Sequence, residues 1–463
     1  FHHSCLLQRL LVLNLVCCQP INSDDPNDRN SPHDMNKKRL QLGMIGCGVV
    51  GTAVANLVSD TTLNSFNEIV GLKSILVKNP TKERTNLLMT QNFVSDINKI
   101  VEDDEITIVI ELMGGENPAF DYISRCLKSG KHVITANKEV ISKKGSELVS
   151  IAKHSGRELK YEASVGGGIP ILSSLSNDFS ANPIQGIRAI INGTTNYILT
   201  RMDNEESSFE DVLKDAQNLG YAESDPSDDI EGTDAVYKLS ILTRLAFDVA
   251  PSTSDIHKEG INGIKQKEFR YSRELGFTIK LIAAAQKRSD KLLLRVHPAL
   301  IPKEIPMANV NGAFNMVEID GGLTGPLWFQ GAGAGPNPTA SAVLSDLMSI
   351  LEGRNTIDQT IVNNHTELLQ LAPMDDYRCR YYLRVTVNDK PGVLAALATI
   401  LGERDISILS VLQKDTDSKL KHADLVIMTH EAKEKNMKAA VSEIKALLDV
   451  INLDSLLRVE EYS

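Results

Sequence analysis

The chain has 463 residues, 42% of them hydrophobic and 24% charged, and a formal net charge of −11. That length allows two to four domains with ample core, and the acidic balance argues against a general nucleic-acid binder. Six scattered cysteines (Cys5, Cys17, Cys18, Cys47, Cys126, Cys379) show no CxxC or Cys/His spacing. Neither a zinc site nor a disulfide framework is indicated, and the default is reduced thiols in the cytoplasm.

The first residue is Phe1, and residues 6–18 form an apolar run too short to span a bilayer. Residues 22–34 are rich in Asp, Asn and Pro and are expected to be disordered. Met35 then stands just before the first strand, so residues 1–37 read as a disordered or upstream-translated extension, with a secretory signal as the other reading. Residues 40–45 read as a buried strand, followed by Gly46-Cys47-Gly48-Val49-Val50-Gly51 and a helix. This is GxGxxG in a strand–turn–helix setting. Gly46 allows the tight turn, Gly48 lets backbone approach a pyrophosphate, and Gly51 lets helix and strand pack closely. The helix N-terminus, with Val49 and Val50, then faces the phosphates.

A second strand at 69–77 ends at Lys78-Asn79, where an acid would read the ribose of NAD. With Lys82 and Arg84 close behind, the cations suit a 2′-phosphate, so NADP(H) is expected and NAD(H) left open; solvated loop charges are the other reading. A strand at 106–110 leads into Glu111–Gly115, and a further strand at 131–138 ends in polar residues, at the edge where an open α/β sheet binds ligands. Residues 161–165 read as the next strand, before the triple glycine 166–168. From Ile171 a substrate and dimerisation domain is expected, with a strand at 187–192, a polar turn at 193–196 and a helix at 209–219.

Residues 219–238, LGYAESDPSDDIEGTDAVYK, gather six acids ahead of Lys238. A helix with an apolar body starts at Thr233, so Asp234 and Lys238 share one face. Spacing alone leaves two readings. One is an exposed ion pair worth ~0.3–0.5 kcal/mol. The other is a lysine held and tuned to move a proton to or from a carbonyl oxygen. Residues 329–339 form a second glycine-rich turn before a helix at 340–352, and 357–370 reads as a linker. The last 83 residues alternate as βαββαβ, a ferredoxin-like order.

The string AQNLGYAESDPSDDIEGTDAVYKL resembles the signature segment of the homoserine dehydrogenase family at Ala216, Gly220, Glu223, Asp225-Pro226, Asp229, Gly232, Asp234 and Lys238. GKHVITANK, INGTTNYIL and FQGAGAGPNPT resemble further family segments in the expected order, and DKPGVLA opening the C-terminal module resembles an ACT domain. The resemblance covers roughly residue 40 to the C-terminus. It implies a Rossmann-type domain at 38–170, a catalytic and dimerisation domain at 171–330, a return to the nucleotide domain with a linker at 331–372, and an ACT module at 378–463.

It also implies reduction of L-aspartate 4-semialdehyde to L-homoserine with NAD(P)H. Lys238 becomes the proton donor and Lys138 a second active-site lysine near nicotinamide and substrate. Glu223, Asp229, Asp234 and Thr194 become substrate contacts, and Gly220 and Gly335 join the cofactor-binding positions. A monovalent cation, Na+ or K+, is implied at Glu162 and the carbonyls of Val165, Gly167 and Ile169, an oxygen set suited to a hard ion. The partners implied are an amino-acid effector, threonine first, and a second copy of the chain in a homodimer or homotetramer, with no nucleic acid or membrane. A chain ending near Pro373 would then keep its activity and lose the effector response. A cysteine-dependent semialdehyde dehydrogenase is disfavoured, since Cys47 lies in the dinucleotide turn and Cys126 on a helix. A non-catalytic amino-acid sensor would leave both lysines idle.

Overall fold

The computed structural model describes residues 39–60, 66–84, 86–88, 91–354, 369–417 and 421–461. The N-terminal extension and most of the linker read at 357–370 lie outside the described residues.

The first unit is a six-stranded, all-parallel sheet of β1 (Leu40–Ile45), β2 (Val70–Leu76), β3 (Phe93–Val94), β4 (Ile106–Glu111), β5 (His132–Thr135) and β6 (Leu159–Lys160). Its order is β3-β2-β1-β4-β5-β6, that of a doubly wound dinucleotide fold. Leu42, Met44 and Ile45 of β1 and Val109 and Ile110 of β4 have no exposed surface, as parallel strands covered on both faces require. Helices α1 (Val49–Ser59), α2 (Ala119–Lys128) and α3 (Lys138–His154) supply the cover. A Cβ on Gly51 would stand 2.6 Å from the Gly46 carbonyl oxygen, so only glycine lets α1 come so near to β1. The strand read at 161–165 ends earlier, at Lys160, because a 3₁₀ turn occupies Glu162–Ser164.

After α4 (Ile171–Asn177), the second unit is a large mixed sheet. It holds β7 (Ile184–Ile190), the long antiparallel hairpin β8 (Phe277–Arg288) and β9 (Lys291–Pro302), then β10 (Phe314–Gly321) and β11 (Gly325–Ala332). Four helices carry or support the site: α5 (Gly193–Glu205), α6 (Phe209–Asn218), α7 (Thr233–Phe247) and α8 (Gln266–Glu274). Residues 193–196 are the first turn of α5, because Asn192 caps it by accepting the Thr195 N–H. Helix α9 (Pro336–Leu351) returns to pack on α1, burying Ala340, Val343 and Leu347 with the β1 core.

The C-terminal module contains β12 (Tyr381–Asn388), α10 (Val393–Glu403), β13 (Ile408–Asp417), β14 (His422–Thr429), α11 (Glu434–Lys445) and β15 (Val450–Val459). It is not a separate bead. β15 pairs with β9 in parallel at Ala299↔Arg458 and Leu300↔Val459, so one sheet runs β11-β10-β7-β8-β9-β15-β12-β14-β13. Buried ion pairs reinforce the join: Arg384 forks onto Glu268 of α8 at 2.7 and 2.9 Å, and Arg295 of β9 forks onto Glu460 at 2.7 and 2.8 Å. Among the described residues no helix is long and apolar enough to cross a membrane.

Candidate active site

The dinucleotide turn has the geometry its glycines imply. Gly46 adopts φ +94°, and a Cβ there would lie 2.8 Å from the Leu112 carbonyl oxygen. At Gly48 a Cβ would meet nothing within 4 Å, so the backbone there is open to a ligand. Val49 and Thr52 of α1, and Pro336 and Asn337 at the start of α9, line one cavity of about 330 Å³. The first residues of α1 and α9, after Gly48 and Gly335, border this cavity, which also runs along α1 as far as Asp60; a helix N-terminus favours an anion. Gly335 sits at φ +117°, which L side chains rarely adopt. At the end of β2, Lys78 is exposed. Arg84 donates to the Lys82 and Asn79 carbonyls and lies 4.4 Å over the Phe93 ring.

At the end of β4 and β5, Glu111 is wholly buried. It accepts from Thr135 Oγ1 at 2.5 Å and from the Met113 N–H at 2.6 Å. Burial pushes its carboxyl up to about 7 despite those hydrogen bonds. Thr135 Oγ1 in turn accepts the Asn137 N–H, and Asn137 caps α3 through the Val140 N–H. This chain of contacts fixes the helix start from which Lys138 projects.

Lys138 and Lys238 come from different units and meet at one carboxylate. Asp234, 1% exposed, contacts Lys138 Nζ through Oδ1 and Lys238 Nζ through Oδ2, the latter at 2.7 Å. Lys238 Nζ also donates to the Ile191 carbonyl at 2.9 Å. The helices that carry them are locked together by a Ser142–Ser240 hydroxyl pair at 2.6 Å and by Arg244, which donates to the Ile141 and Ser142 carbonyls. The two lysines are driven apart in basicity. Burial and the neighbouring Lys138 charge lower the pKa of Lys238 against the pull of Asp234. For Lys138, 44% exposed at its side chain, burial is outweighed by Asp234, Asp229 and Asp228, and its pKa is raised. Burial alone would raise Asp234, yet the two ammonium groups hold it well below the usual carboxylate range.

Asn192 completes the cluster; the sequence places it at the end of a strand and inside the INGTTNYIL segment, with no role of its own. Its Nδ2 donates to Asp229 Oδ1 at 2.6 Å and Asp234 Oδ2 at 2.8 Å, while its Oδ1 caps α5. Burial and the Asp234 charge raise Asp229, against the Asn192 hydrogen bond. Thr194 Oγ1 donates to the Tyr221 carbonyl and ties α5 to the acidic loop. Glu223 is exposed, and its carbonyl accepts from Gln217. Gly220, at φ +76°, ends α6, and a Cβ there would meet nothing within 4 Å.

At the glycine turn after β6, the Glu162 carboxylate accepts the Leu172 and Ser173 N–H groups and so caps α4. Gly166 and Gly167 have φ of +77° and +56°, and a Cβ on Gly167 would stand 2.6 Å from Gly333. Among the described residues no group of three His, Cys, Asp or Glu side chains can hold a metal.

Comparison with known proteins agrees with this arrangement along the chain. Residues 170–348 match the family model described as homoserine dehydrogenase, residues 46–162 its NAD binding domain, and residues 381–449 the ACT domain. The chain is 38% identical to a homoserine dehydrogenase of Synechocystis sp. over 91% of this chain and 99% of that one. It is 37% identical to the Helicobacter pylori enzyme, over 92% and 100%. A solved homoserine dehydrogenase from Thiobacillus denitrificans superposes with a TM-score of 0.84 at 37% identity, covering 92% of this chain and 99% of that one.

Proposed function

The chain belongs to the homoserine dehydrogenase family, and from that premise we propose how its own residues reduce L-aspartate 4-semialdehyde to L-homoserine. When bound, the reduced nicotinamide supplies the hydride. The Lys238 ammonium donates its hydrogen bond, and then its proton, to the aldehyde oxygen as the carbonyl carbon takes the hydride; in reverse the neutral amine removes the hydroxyl proton. Lys138 stays charged and orients that oxygen. Asp229 and Asp234, set by Asn192, receive the substrate ammonium with Glu223 closing from the loop, and Thr194, which donates to the Tyr221 carbonyl from the first turn of α5, holds that loop and contacts the substrate. The observation that carries this reading is the junction of Lys138, Lys238, Asp234 and Asn192, with a lysine of lowered pKa buried beside one of raised pKa.

NADP(H) is the preferred dinucleotide in this reading, because Lys78 stands exposed past β2 where a 2′-phosphate would lie, with Arg84 behind it. Gly46, Gly48, Val49, Val50, Gly51 and Gly335 hold the phosphates through the two helix N-termini. Na+ or K+ takes the carbonyls of Val165, Gly167 and Ile169 with the backbone of Glu162, since the Glu162 carboxylate already caps α4. The C-terminal module binds an amino-acid effector, threonine first. Two copies associate through β11, an edge strand that exposes Leu327 and Trp328. Initial rates with L-homoserine, NADP+ and NAD+, with and without threonine, test the reading; absence of homoserine turnover would reject it.

A further inference from the structure

Residues 257–261 lie between the C-terminal module and the acidic loop ahead of α7. His257 and Lys258 form a short strand parallel to β9, and the Glu259 N–H donates to the Val296 carbonyl at 2.8 Å. On the side of the acidic loop backbone packs on backbone, with one side-chain hydrogen bond beside it. A Cβ on Gly260 would stand 2.4 Å from the Ile230 oxygen and 2.8 Å from the Glu231 Cα. The Ile261 N–H donates to the Ile230 carbonyl at 2.8 Å, and Lys258 Nζ donates to Thr233 Oγ1 at 2.9 Å. Residues 230–233 thus cannot shift unless 258–261 shift too, and they connect Asp229 directly to Asp234.

On the other side, the Glu259 carboxylate is gripped by the module. Arg458 of β15, 2% exposed, donates to both of its oxygens at 2.8 Å, and His257 Nε2 lies 2.8 Å from one of them. Arg458 is itself braced by a second fork onto Glu434, at 2.9 and 2.6 Å. A planar guanidinium held between two carboxylates has one orientation that satisfies both, which fixes where Glu259 can sit.

We propose that Glu259 is a positioning residue for the substrate-binding carboxylates, and that Arg458 of the C-terminal module holds it in place. The module is then part of the scaffold of the active site, apart from any ligand it binds. This rests on the assignment of Asp229 and Asp234 to the substrate. It goes beyond that assignment because neither Glu259 nor Arg458 touches the reacting groups.

The test compares Glu259→Gln with Lys267→Gln in the full chain. Lys267 pairs with Asp424 at 2.9 Å across the same interface but from α8. Glu259→Gln keeps the shape and removes the charged fork. It is expected to raise KM for homoserine about ten-fold, within the usual 5–150-fold of coupled sites, with KM for NADP+ and kcat nearly unchanged. Amide exchange in residues 228–236 should speed up in the same variant. Lys267→Gln should change neither. If Glu259→Gln does not fold, Arg458→Lys keeps the charge and loses the fork, with the same readouts. Unchanged KM and exchange, or equal effects in both variants, would overturn the proposal. The exchange readout decides the matter even for a wild type without homoserine turnover, a result that would reject the function alone.

Discussion

Ending the chain at Pro373 tests how far the C-terminal module is built into the fold. Val426, Met428, Leu457 and Val459 of the module are each at most 4% exposed and belong to the same apolar cluster as the substrate unit. At ~1.5–3 kcal/mol for each fully buried side chain, their loss withdraws about 6–12 kcal/mol. The figure is an upper bound, since unfolded chains already bury some apolar surface. It still matches the whole stability of a typical domain, ~5–15 kcal/mol. Truncation also removes Glu460, the partner of the fully buried Arg295, and opens the β9 edge where β15 had paired. Scanning calorimetry and light scattering of the truncated chain should show aggregation or a greatly lowered Tm, with homoserine turnover lost in proportion. A truncated chain that melts cooperatively at the full-length temperature and keeps full turnover would show that the substrate unit stands without the module, the detachable arrangement that the sequence suggests.

Lys238→Met should lower kcat by ~10²–10⁴-fold, the usual span for a general acid–base, with dinucleotide affinity by fluorescence titration unchanged; near-normal turnover would remove Lys238 from the chemistry. Lys78→Ala should weaken NADPH use while leaving NADH rates intact, and equal losses with both cofactors would speak against a 2′-phosphate contact. Glu111→Gln should alter the pH dependence of stability. The fold disfavours the charged carboxylate, so wild-type stability is greatest below the ordinary 4.5 and falls as pH rises towards about 7. That span is worth about 3 kcal/mol, so the variant should gain in Tm over wild type at pH 8 and hardly at all near pH 4.5. A gap that does not change with pH would contradict the shift.

The dinucleotide turn was legible in the sequence because its signal is local: Gly46, Gly48 and Gly51 each answer to a backbone constraint within one strand–turn–helix unit. The Asp234–Lys238 pair was legible for the same reason, being one helical turn apart. Lys138 is different. Its approach to Asp234 depends on α3 and α7 packing from separate units, with Arg244 filling the space that Gly145 leaves open, and no spacing encodes that. Asn192 has the residue type of a helix cap, but its second role appears only once the acidic loop folds back over it. The merging of the module into the second sheet was hidden as well. It rests on two residue pairs between β9 and β15, on the buried ion pair Arg384–Glu268 and on the pair of buried Arg458 with half-buried Glu259, which join residues far apart in the chain and leave no local pattern.

Lys238, Lys138 and Asp234 are the proposed reducing site of this homoserine dehydrogenase. Its most direct test is the initial rate of reduced-nicotinamide formation by the full chain with L-homoserine and NADP+, measured beside Lys238→Met. Saturable turnover is expected in the wild type, collapsing in the variant while NADP+ still binds both. Binding of NADP+ without homoserine oxidation in the wild type, or equal turnover in the two proteins, would contradict it.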